Sequence, residues 1–586
     1  MLKILKYLKK QEWVYVVFSV AFIAVQVWLD LKLPDYMSDI TTLIQTEGST
    51  MREILVQGGY MLLCALGSMA TSIVVGFFAA KVAAGLARRL RGMVYDKTLS
   101  FSMEEINSFS SASLITRTTN DIVQIQMIIA MGLQVMVKGP ILAVWAIVKI
   151  AGKSWQWTTA TGVAVIILIA VFGIIIGLAM PKFKRIQSLT DNVNRVSREQ
   201  LIGLRVVRAY NAEEYQEDKF EVANEELTRT NRFAFTVMAI MVPSITLIQS
   251  GLSLAVYWLG AHMIEAAAFE DKVQLFSNMV VFSAYAIQVI MAFMLMAMIF
   301  IMLPRANVSA LRIMEVLDKK NHITDGKRKE GAAGEKGTIE FKDVSFRYPD
   351  AAENMIEHIS FTARKGETVA IIGSTGSGKS TLVNLIPRFY DATEGQVLVD
   401  GVDVREYNQK ALRDKIGYVS QKAILFSGTV STNVAYGDMG ESMTGDQVRR
   451  GVRIAQAEEF VQKMDGTYDA HIAQGGSNVS GGQKQRLSIA RAIARNPEIY
   501  IFDDSFSALD YKTDRILRNA LKKEIKDATM LIVAQRIGTI KDADRIIVLD
   551  DGKVAGMGTH EELLKNCRTY QEIAYSQLSK EELANA

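Results

Sequence analysis

The sequence has very little of the chemistry that cross-links a chain or builds a metal cluster. It contains only two cysteines, Cys64 and Cys567, among 586 residues. Two such distant cysteines offer neither a disulfide framework nor a cysteine metal cluster, and we expect both to be ordinary packing residues. Internal repeats and low-complexity tracts are also lacking. The net charge of +4 is small for this length and by itself points to no class of partner.

What the sequence has in abundance is long apolar runs in its first half. There are six of them up to about residue 303, and each approaches the roughly 20 residues that a helix needs to cross the hydrocarbon core. One run could be a buried helix of a soluble protein, but six in succession exclude that class. The first run is too long for a signal peptide and lacks a cleavage site. The runs lie near residues 13–31, 55–80, 128–150, 158–180, 236–262 and 275–303. The sequence therefore predicts a polytopic α-helical membrane domain.

Basic residues in two of the connections indicate how the chain is oriented. Lys and Arg are concentrated between the second and third runs and between the fourth and fifth. Since cytoplasmic loops gather these residues, we expect both connections to face the cytosol. The N-terminus and everything after the sixth run are then also cytosolic, and the membrane is expected to be the cell membrane. Helical spacing continues through 193–208, so the membrane helices are expected to extend into the cytosol. Lys138, the most conspicuous charge near a run, is expected to snorkel to the cytoplasmic interface.

A polar stretch from 321 to 337 marks a change of domain. We therefore divide the chain into a membrane domain of residues 1–320, a linker of 321–337 and a second domain of 338–586. The second domain opens with alternating apolar and polar residues, a strand pattern that ends at Tyr348. A later apolar run, 368–372, is typical of a buried strand and is followed by a segment with helical spacing. Strand, loop and helix in this order predict an α/β fold.

The loop between that strand and helix fits the phosphate-binding pattern of Gly, four residues and Gly-Lys-Ser. Its backbone N–H groups and the helix N-terminus would converge on phosphate oxygens. Lys379 would reach the outer phosphates and Ser380 would contact Mg²⁺, so ATP and Mg²⁺ are the predicted cofactors. A glycine-rich turn with a chance lysine is the alternative, and the flanking strand and helix argue against it. The residues predicted to bind ATP here are Gly373, Ser374, Thr375, Gly376, Ser377, Gly378, Lys379, Ser380 and Thr381.

Several shorter motifs follow the loop in a specific order. Gln421 ends Tyr418-Val-Ser-Gln, and the signature Val479-Ser-Gly-Gly-Gln483 comes next. An apolar strand then leads to Asp503, and Ser507-Ala-Leu-Asp510 follows. Each motif is weak alone, but in this order the whole chain resembles a half-transporter of the ABC exporter family. The resemblance implies six spans, one nucleotide-binding domain and the activity of a transport ATPase, or translocase.

The same resemblance assigns roles to individual residues. Tyr348 would stack on adenine, and Asp503 would hold Mg²⁺ together with Ser380 and Gln421. In the family two such domains close head to tail, so that each ATP lies between one phosphate loop and the other chain's signature. Asp510 would lie in the loop that follows the catalytic position. The signature residues that would complete a partner's site are Ser480, Gly481, Gly482 and Gln483.

Two positions depart from the family's pattern, and both belong to this chain's own ATP site. Asp504 stands where the family has its catalytic glutamate, and it is shorter by about 1.5 Å. Misplacing a reacting water by ~1 Å can cost on the order of 10²-fold in rate. Gln535 stands where the family has its switch histidine, and none of the five histidines, at 262, 322, 358, 471 and 560, offers a substitute. The pattern predicts a degenerate site in a heterodimeric exporter, whose second half-transporter supplies the catalytic glutamate and the switch histidine.

Other functions remain open at this point. A homodimeric exporter or lipid flippase with slow hydrolysis is the main alternative, and an ATP-gated regulatory protein of the same family is another. The six spans exclude the soluble ABC ATPases of DNA repair and translation, so no nucleic acid partner is expected. The expected partners are the lipid bilayer and an amphipathic small molecule, a drug or a lipid, as in multidrug export. Segments 105–114 and 210–220 are candidates for short helices that touch an ATPase domain.

Overall fold

The computed structural model describes residues 2–46, 48–151, 154–437 and 443–577. The chain divides into two compact units. The first consists of Met1–Leu99 and Ser111–Lys319, and the second of Ser100–Ser110 and Lys320–Ala586. The short segment from 100 to 110 therefore folds with the second unit, although it lies between two membrane runs in the sequence.

Long helices make up the first unit. The helices in this part of the chain are α1 (Leu2–Leu5), α2 (Lys10–Gln45), α3 (Met51–Leu99), α4 (Met103–Ser108), α5 (Ser111–Thr118), α6 (Asn120–Ala151), α7 (Trp155–Ile202), α8 (Leu204–Ala209), α9 (Glu213–Ala239), α10 (Met241–Ala266) and α11 (Phe269–Asp318). All of them belong to the first unit except α4. Segment 105–114 is thus divided between two helices. Segment 210–220 is no short helix of its own, because most of it is the start of α9.

Six helical segments within the described ranges are long and apolar enough to cross a membrane, which confirms the predicted number of spans. They lie in Lys10–Gln45, Met51–Leu99, Ser111–Ala151, Trp155–Ile202, Glu213–Ala266 and Asp271–Met296. A helix such as α3, with 49 residues, is more than twice the length that a bilayer requires. The predicted extension of these helices beyond the membrane is therefore confirmed.

Ion pairs join the helices of the first unit. Arg89 donates two hydrogen bonds to Glu12, at 2.8 and 3.1 Å, and so ties α3 to α2. Asp121 on α6 accepts bonds of 2.8 Å from Ser309 and Arg312 on α11. The expectation that Lys138 snorkels to the cytoplasmic interface is wrong, because its ammonium group lies 3.0 Å from the carboxylate of Asp30 on α2. The ion pair with a nearby carboxylate stabilises the ammonium group more than extension of the side chain to the interface would.

The second unit is built on a six-stranded sheet with helices around it. Its strands and helices after α11 are β1 (Ile339–Phe346), β2 (Ile356–Ala363), β3 (Thr368–Gly373), α12 (Lys379–Leu385), β4 (Glu394–Val399), β5 (Val402–Asp403), α13 (Gln409–Asp414), β6 (Ile416–Val419), β7 (Gly428–Thr429), α14 (Val430–Val434), α15 (Gly445–Ile454), α16 (Glu458–Lys463), β8 (His471–Ile472), α17 (Gly481–Arg495), β9 (Ile499–Asp503), α18 (Tyr511–Glu524), β10 (Thr529–Val533), α19 (Ile537–Ile540), β11 (Arg545–Asp550), β12 (Lys553–Gly558), α20 (His560–Asn566) and α21 (Arg568–Gln577). The α/β fold predicted for this part of the chain is confirmed.

The strand order places five parallel strands next to one another. The large sheet runs β12-β11-β3-β10-β9-β6, and every pairing except that of β11 with β12 is parallel. A smaller antiparallel sheet runs β2-β1-β4-β5. Strand β3 is buried on both faces: Val369 and Ile371 pack into one core, and Ala370 and Ile372 into the other. Burial on both faces explains why this strand is a continuous apolar run.

Backbone hydrogen bonds attach the predicted linker to the second unit. Gly326 donates to the carbonyl of Tyr407 at 2.9 Å, and Ala332 donates to the carbonyl of Asp400 at 2.8 Å. Helix α4 belongs to the same unit through Glu105, whose side chain is fully buried. Glu105 accepts bonds from the backbone N–H of His322 at 2.9 Å and pairs with its Nδ1 at 2.8 Å.

The carboxylate of Glu105 also closes the N-terminal cap of α4. Both the backbone N–H and the hydroxyl of Ser102 donate to it. Burial alone would raise the pKa of Glu105, but the bonds from Ser102 and His322 outweigh burial and lower the pKa to about 2. A depressed carboxyl pKa contributes stability that is present above the unfolded-state pKa and lost as pH falls toward the folded one.

We expect Glu105→Gln to loosen α4, because the amide keeps the shape of the side chain but loses its charge. Bonds to a charged acceptor contribute about 2 kcal/mol, so backbone amide exchange in α4 at pH 7 should accelerate by roughly tenfold or more. Hydrogen–deuterium exchange read by mass spectrometry measures this rate. The difference from the native chain should shrink as pH falls below about 4.5 toward 2. Glu104→Gln, on the same helix but partly exposed, is the control and should change the rate less than about threefold.

Candidate nucleotide site

The predicted site residues follow the carboxyl ends of four adjacent strands. The phosphate loop follows β3, Gln535 follows β10, Asp503 ends β9, and Gln421 follows β6. Because these strands are parallel, their carboxyl ends meet at one edge of the sheet, where ligands of open α/β sheets bind. Residues far apart in the sequence are therefore brought together by the pairing of strands alone.

The phosphate loop turns sharply through two glycines with left-handed backbone. Gly376 has φ of +89° and Gly378 has φ of +91°, a region that other residues rarely adopt. At Gly378 a Cβ would also lie 2.5 Å from Cγ2 of Ile356 and 3.0 Å from the carbonyl of Met355. Both conformation and space therefore require glycine at this position. Helix α12 begins at the next residue, Lys379.

Lys379 lies inside the loop that precedes it. Its ammonium group donates to the carbonyls of Gly373 and Ser374 at 2.9 and 2.6 Å. Burial lowers the pKa of Lys379, and the charges of Asp504 and Asp503 offset part of that effect. A cation held by backbone carbonyls and close to the loop's N–H groups is placed to pair with the outer phosphates of a nucleotide.

Asp503 is 4% exposed and faces the start of α12. Ser380 donates to its carboxylate at 2.8 Å, and the hydroxyl of Tyr418 lies 3.5 Å from its other oxygen. Burial raises the pKa of Asp503, and the bond from Ser380 opposes this shift. A hydroxyl and a carboxylate oxygen side by side are the hard donors that Mg²⁺ prefers, so the residues present fit the predicted metal.

Asp504, which the sequence predicts to stand at the position of the catalytic carboxylate, is held by two glutamines. Gln535 donates to its Oδ2 at 2.9 Å, and Gln421 donates to the same oxygen at 3.2 Å. The side chain is 7% exposed, and its backbone has φ of +47°. The structure therefore places the amide of Gln421 against Asp504. The contact of Gln421 with Mg²⁺ remains a prediction.

The signature residues form the beginning of α17. Ser480 is its N-cap: Gln483 N–H donates to the hydroxyl of Ser480 at 3.3 Å, and the Gln483 side chain accepts from the Ser480 N–H at 2.9 Å. A Cβ on Gly481 would meet open space. In the described part of the chain, no hydrogen bond joins this signature to the phosphate loop. The capped helix end is thus free of the chain's own phosphate loop.

Asp510 plays a local structural role besides its predicted one. Its carboxylate caps α18 by accepting from the N–H of Thr513 at 2.9 Å. The hydrogen bonds at Thr513 lower the pKa of Asp510 below its usual range. A capped helix start fixes the direction of the short loop that precedes it.

Tyr348 lies just beyond β1 in a group of aromatic rings. Its ring packs edge-on against Phe346 at 4.9 Å and Tyr390 at 5.4 Å between centroids. Its hydroxyl lies 3.0 Å from the hydroxyl of Thr381 on α12. This bond attaches the predicted adenine-stacking residue to the helix that carries Lys379.

Two residues near Asp503 were not singled out from the sequence. Tyr418 hydrogen-bonds to Asn384 on α12 at 2.9 Å, so its hydroxyl lies between that helix and Asp503. Burial, with the charge of Asp503, raises the pKa of Tyr418, and the hydroxyl stays neutral. The sequence did contain a signal for Tyr418, because this residue lies in the strand that leads to Gln421.

Family models match both halves of the chain. The model described as ABC transporter transmembrane region matches residues 16–293, and the model described as ABC transporter matches residues 356–507. The second match contains the phosphate loop, the signature and the strand that ends in Asp503.

Full-length relatives agree with these matches. An uncharacterized ABC transporter ATP-binding protein of Mycobacterium tuberculosis H37Rv is 42% identical over 521 residues, 89% of this chain and 87% of the relative. An ATP-dependent lipid A-core flippase of Aromatoleum aromaticum is 31% identical over 509 residues, 86% of this chain and 82% of the relative. A solved bacterial Atm1-family ABC exporter with ATP bound is similar in fold, with a TM-score of 0.81 over 97% of this chain and 99% of that chain, at 22% identity.

We expect Tyr348→Ala to weaken ATP binding by about tenfold or more, because stacking of a base on an aromatic ring contributes roughly 1–3 kcal/mol. Tyr348→Phe removes only the hydroxyl and its bond to Thr381, so it should bind ATP within about threefold of the native chain. Fluorescent ATP analogues titrated against the purified chain measure both constants. An equal loss of ATP affinity in the two variants would assign the effect to the hydroxyl rather than to the ring.

Proposed function

The chain belongs to the ABC transporter family, and from that premise we propose that it is one half of a heterodimeric exporter of amphipathic compounds. A membrane part and a transport ATPase domain follow from the family. The pairing with a different chain, the unequal ATP sites, the cargo and the cytosolic position of the ATPase domain in a cell membrane are the proposal.

The contact between Asp504 and the two glutamines carries this proposal. A general base needs a carboxylate oxygen that reaches the attacking water and takes its proton. Two amide N–H groups on Oδ2 of Asp504 occupy lone-pair directions that a general base would offer to the attacking water. The side chain is also shorter than glutamate by about 1.5 Å. Both effects slow hydrolysis at this site.

The intact signature supports the other half of the proposal. Ser480 and Gln483 hold the start of α17 in a complete capping box, which leaves the backbone N–H groups of Gly481 and Gly482 available to a phosphate. On this proposal a partner chain contributes its own phosphate loop, a catalytic glutamate and a switch histidine opposite this surface. The competent site then contains this chain's signature.

The degenerate site is proposed to bind ATP and to release it slowly. Lys379 and the loop N–H groups hold the phosphates, Tyr348 holds the base, and Ser380 with Asp503 orients the metal. Bound Mg²⁺ supplies positive charge that neutralises the phosphate oxygens. ATP retained here keeps the two ATPase domains partly closed while the competent site completes its cycle, which biases the two-state equilibrium between inward-facing and outward-facing forms.

The decisive experiment compares ATP turnover by the purified chain in lipid nanodiscs with that of an Asp504→Glu, Gln535→His double variant. The native chain alone should turn over ATP very slowly. The double variant should gain on the order of 10²-fold, because the longer carboxylate repositions the water and the Gln535 amide no longer occupies the carboxylate oxygen. Lys379→Ala in the double variant is the control and should abolish the gain. Robust turnover by the native chain alone would refute the heterodimer and leave a homodimeric exporter or flippase.

A further inference from the structure

Helix α21 ends at Gln577, beside the loop that carries Gln535. The side-chain amide of Gln577 donates to the carbonyl of Gln535 at 2.8 Å, and its oxygen accepts from the N–H of Ile537 at 2.9 Å. These are the two bonds that a residue of a neighbouring parallel strand would make to an extended backbone. One side chain therefore binds the backbone on both sides of the residue between Gln535 and Ile537.

The backbone held in this way has already left the sheet. Strand β10 ends two residues before Gln535, and α19 begins two residues after it. Between them Arg536 is extended, with φ of −107° and ψ of 128°. The N–H of Ile537 is one of the donors that the start of a helix leaves without an intrahelical partner. Gln577 satisfies that donor and fixes the carbonyl of Gln535 with the same amide group.

Helix α21 gives Gln577 a firm support. Tyr570 and Ala574 of this helix are fully buried, and they belong to the same core as Ile537 and Ile540 of α19. The two helices are thus fixed against one core. Gln577 itself is exposed, so its two bonds add little to the stability of the fold. Their place on the loop favours a local role at the nucleotide site.

The loop meets Asp504 and the segment after it at two points. The side chain of Gln535 donates to Oδ2 of Asp504 at 2.9 Å. The guanidinium of Arg536 donates to the carbonyl of Ser507 at 3.4 Å, and the hydroxyl of Ser507 donates to the carbonyl of Asp504 at 2.9 Å. Gln577 holds the same loop from the side of α21, so the loop lies between that helix and Asp504.

We propose that Gln577 is a positioning residue for this chain's ATP site and that it acts through Gln535. It fixes the backbone from which the Gln535 side chain reaches Asp504, and so keeps the amide on an oxygen that a general base needs. Helix α21 thereby contributes to slow hydrolysis at this site. The inference rests on the proposed function, because it requires Asp504 and Gln535 to take part in ATP hydrolysis.

Hydrogen–deuterium exchange of the full chain in nanodiscs tests the two bonds without ATP hydrolysis. Gln577→Ala should accelerate exchange about fivefold in the peptide that contains Ile537, since one hydrogen bond is lost there. Gln571→Ala is the matched control, because Gln571 of α21 donates to the carbonyls of Leu564 and Lys565 at 2.8 and 3.3 Å. It should change that exchange less than about twofold. Equal effects of the two variants, or none with Gln577→Ala, would overturn the inference.

ATP turnover separates positioning of Gln535 from simple capping of α19. Gln577→Glu keeps an acceptor for the N–H of Ile537 but cannot donate to the carbonyl of Gln535, so capping survives this change. In the Asp504→Glu chain it should raise the residual kcat about threefold or more with KM for ATP unchanged, because the loosened amide leaves the carboxylate oxygen to the attacking water. Gln577→Ala should act in the same direction. An unchanged or lowered kcat would overturn the inference.

A double-mutant cycle shows whether Gln577 acts through the Gln535 side chain. In the Asp504→Glu, Gln535→Ala chain, Gln577→Glu should change kcat less than about twofold, because a residue that acts through a side chain loses its effect when that side chain is removed. An equal rise in both chains would assign the effect to general structure and overturn the inference. Robust turnover by the native chain would refute the heterodimer, yet it would leave the exchange result unchanged.

Discussion

The candidate nucleotide site depends on one constraint, the parallel pairing of β3, β10, β9 and β6. Each strand ends where its neighbour ends, so the residues that follow them share one edge of the sheet. Side chains separated by more than a hundred positions in the sequence thereby come within hydrogen-bonding distance. Burial of β3 on both faces fixes the edge in place, because a one-residue shift of register would exchange the side chains that pack into the two cores.

The residues that could be predicted from the sequence are those whose roles are local. The phosphate loop needs glycine at Gly376 and Gly378 because of backbone conformation and close approach, and such requirements appear directly in a short pattern. Six spans could be counted because length and hydropathy are properties of a segment. Ser480 and Gln483 were expected in the signature, and their capping box is equally local.

Contacts between distant segments could not be predicted in the same way. That Gln421 donates to Asp504 depends on the order of β6, β9 and β10 in the sheet, which no short motif states. That Lys138 pairs with Asp30 depends on how α2 and α6 are rotated about their axes, and hydropathy carries no information on rotation. The fold of 100–110 with the second unit likewise follows from the contact between Glu105 and His322, residues more than two hundred positions apart.

The sharing of one carboxylate oxygen by two glutamines has a consequence for restoring hydrolysis at this site. Changing Asp504 alone to glutamate leaves the Gln535 amide in place, and changing Gln535 alone to histidine leaves the shorter carboxylate. Neither single change recovers the full geometry of the site. Under the proposed function, hydrolysis at this site returns only when both residues are changed together, so the chain depends on a partner that supplies the competent site.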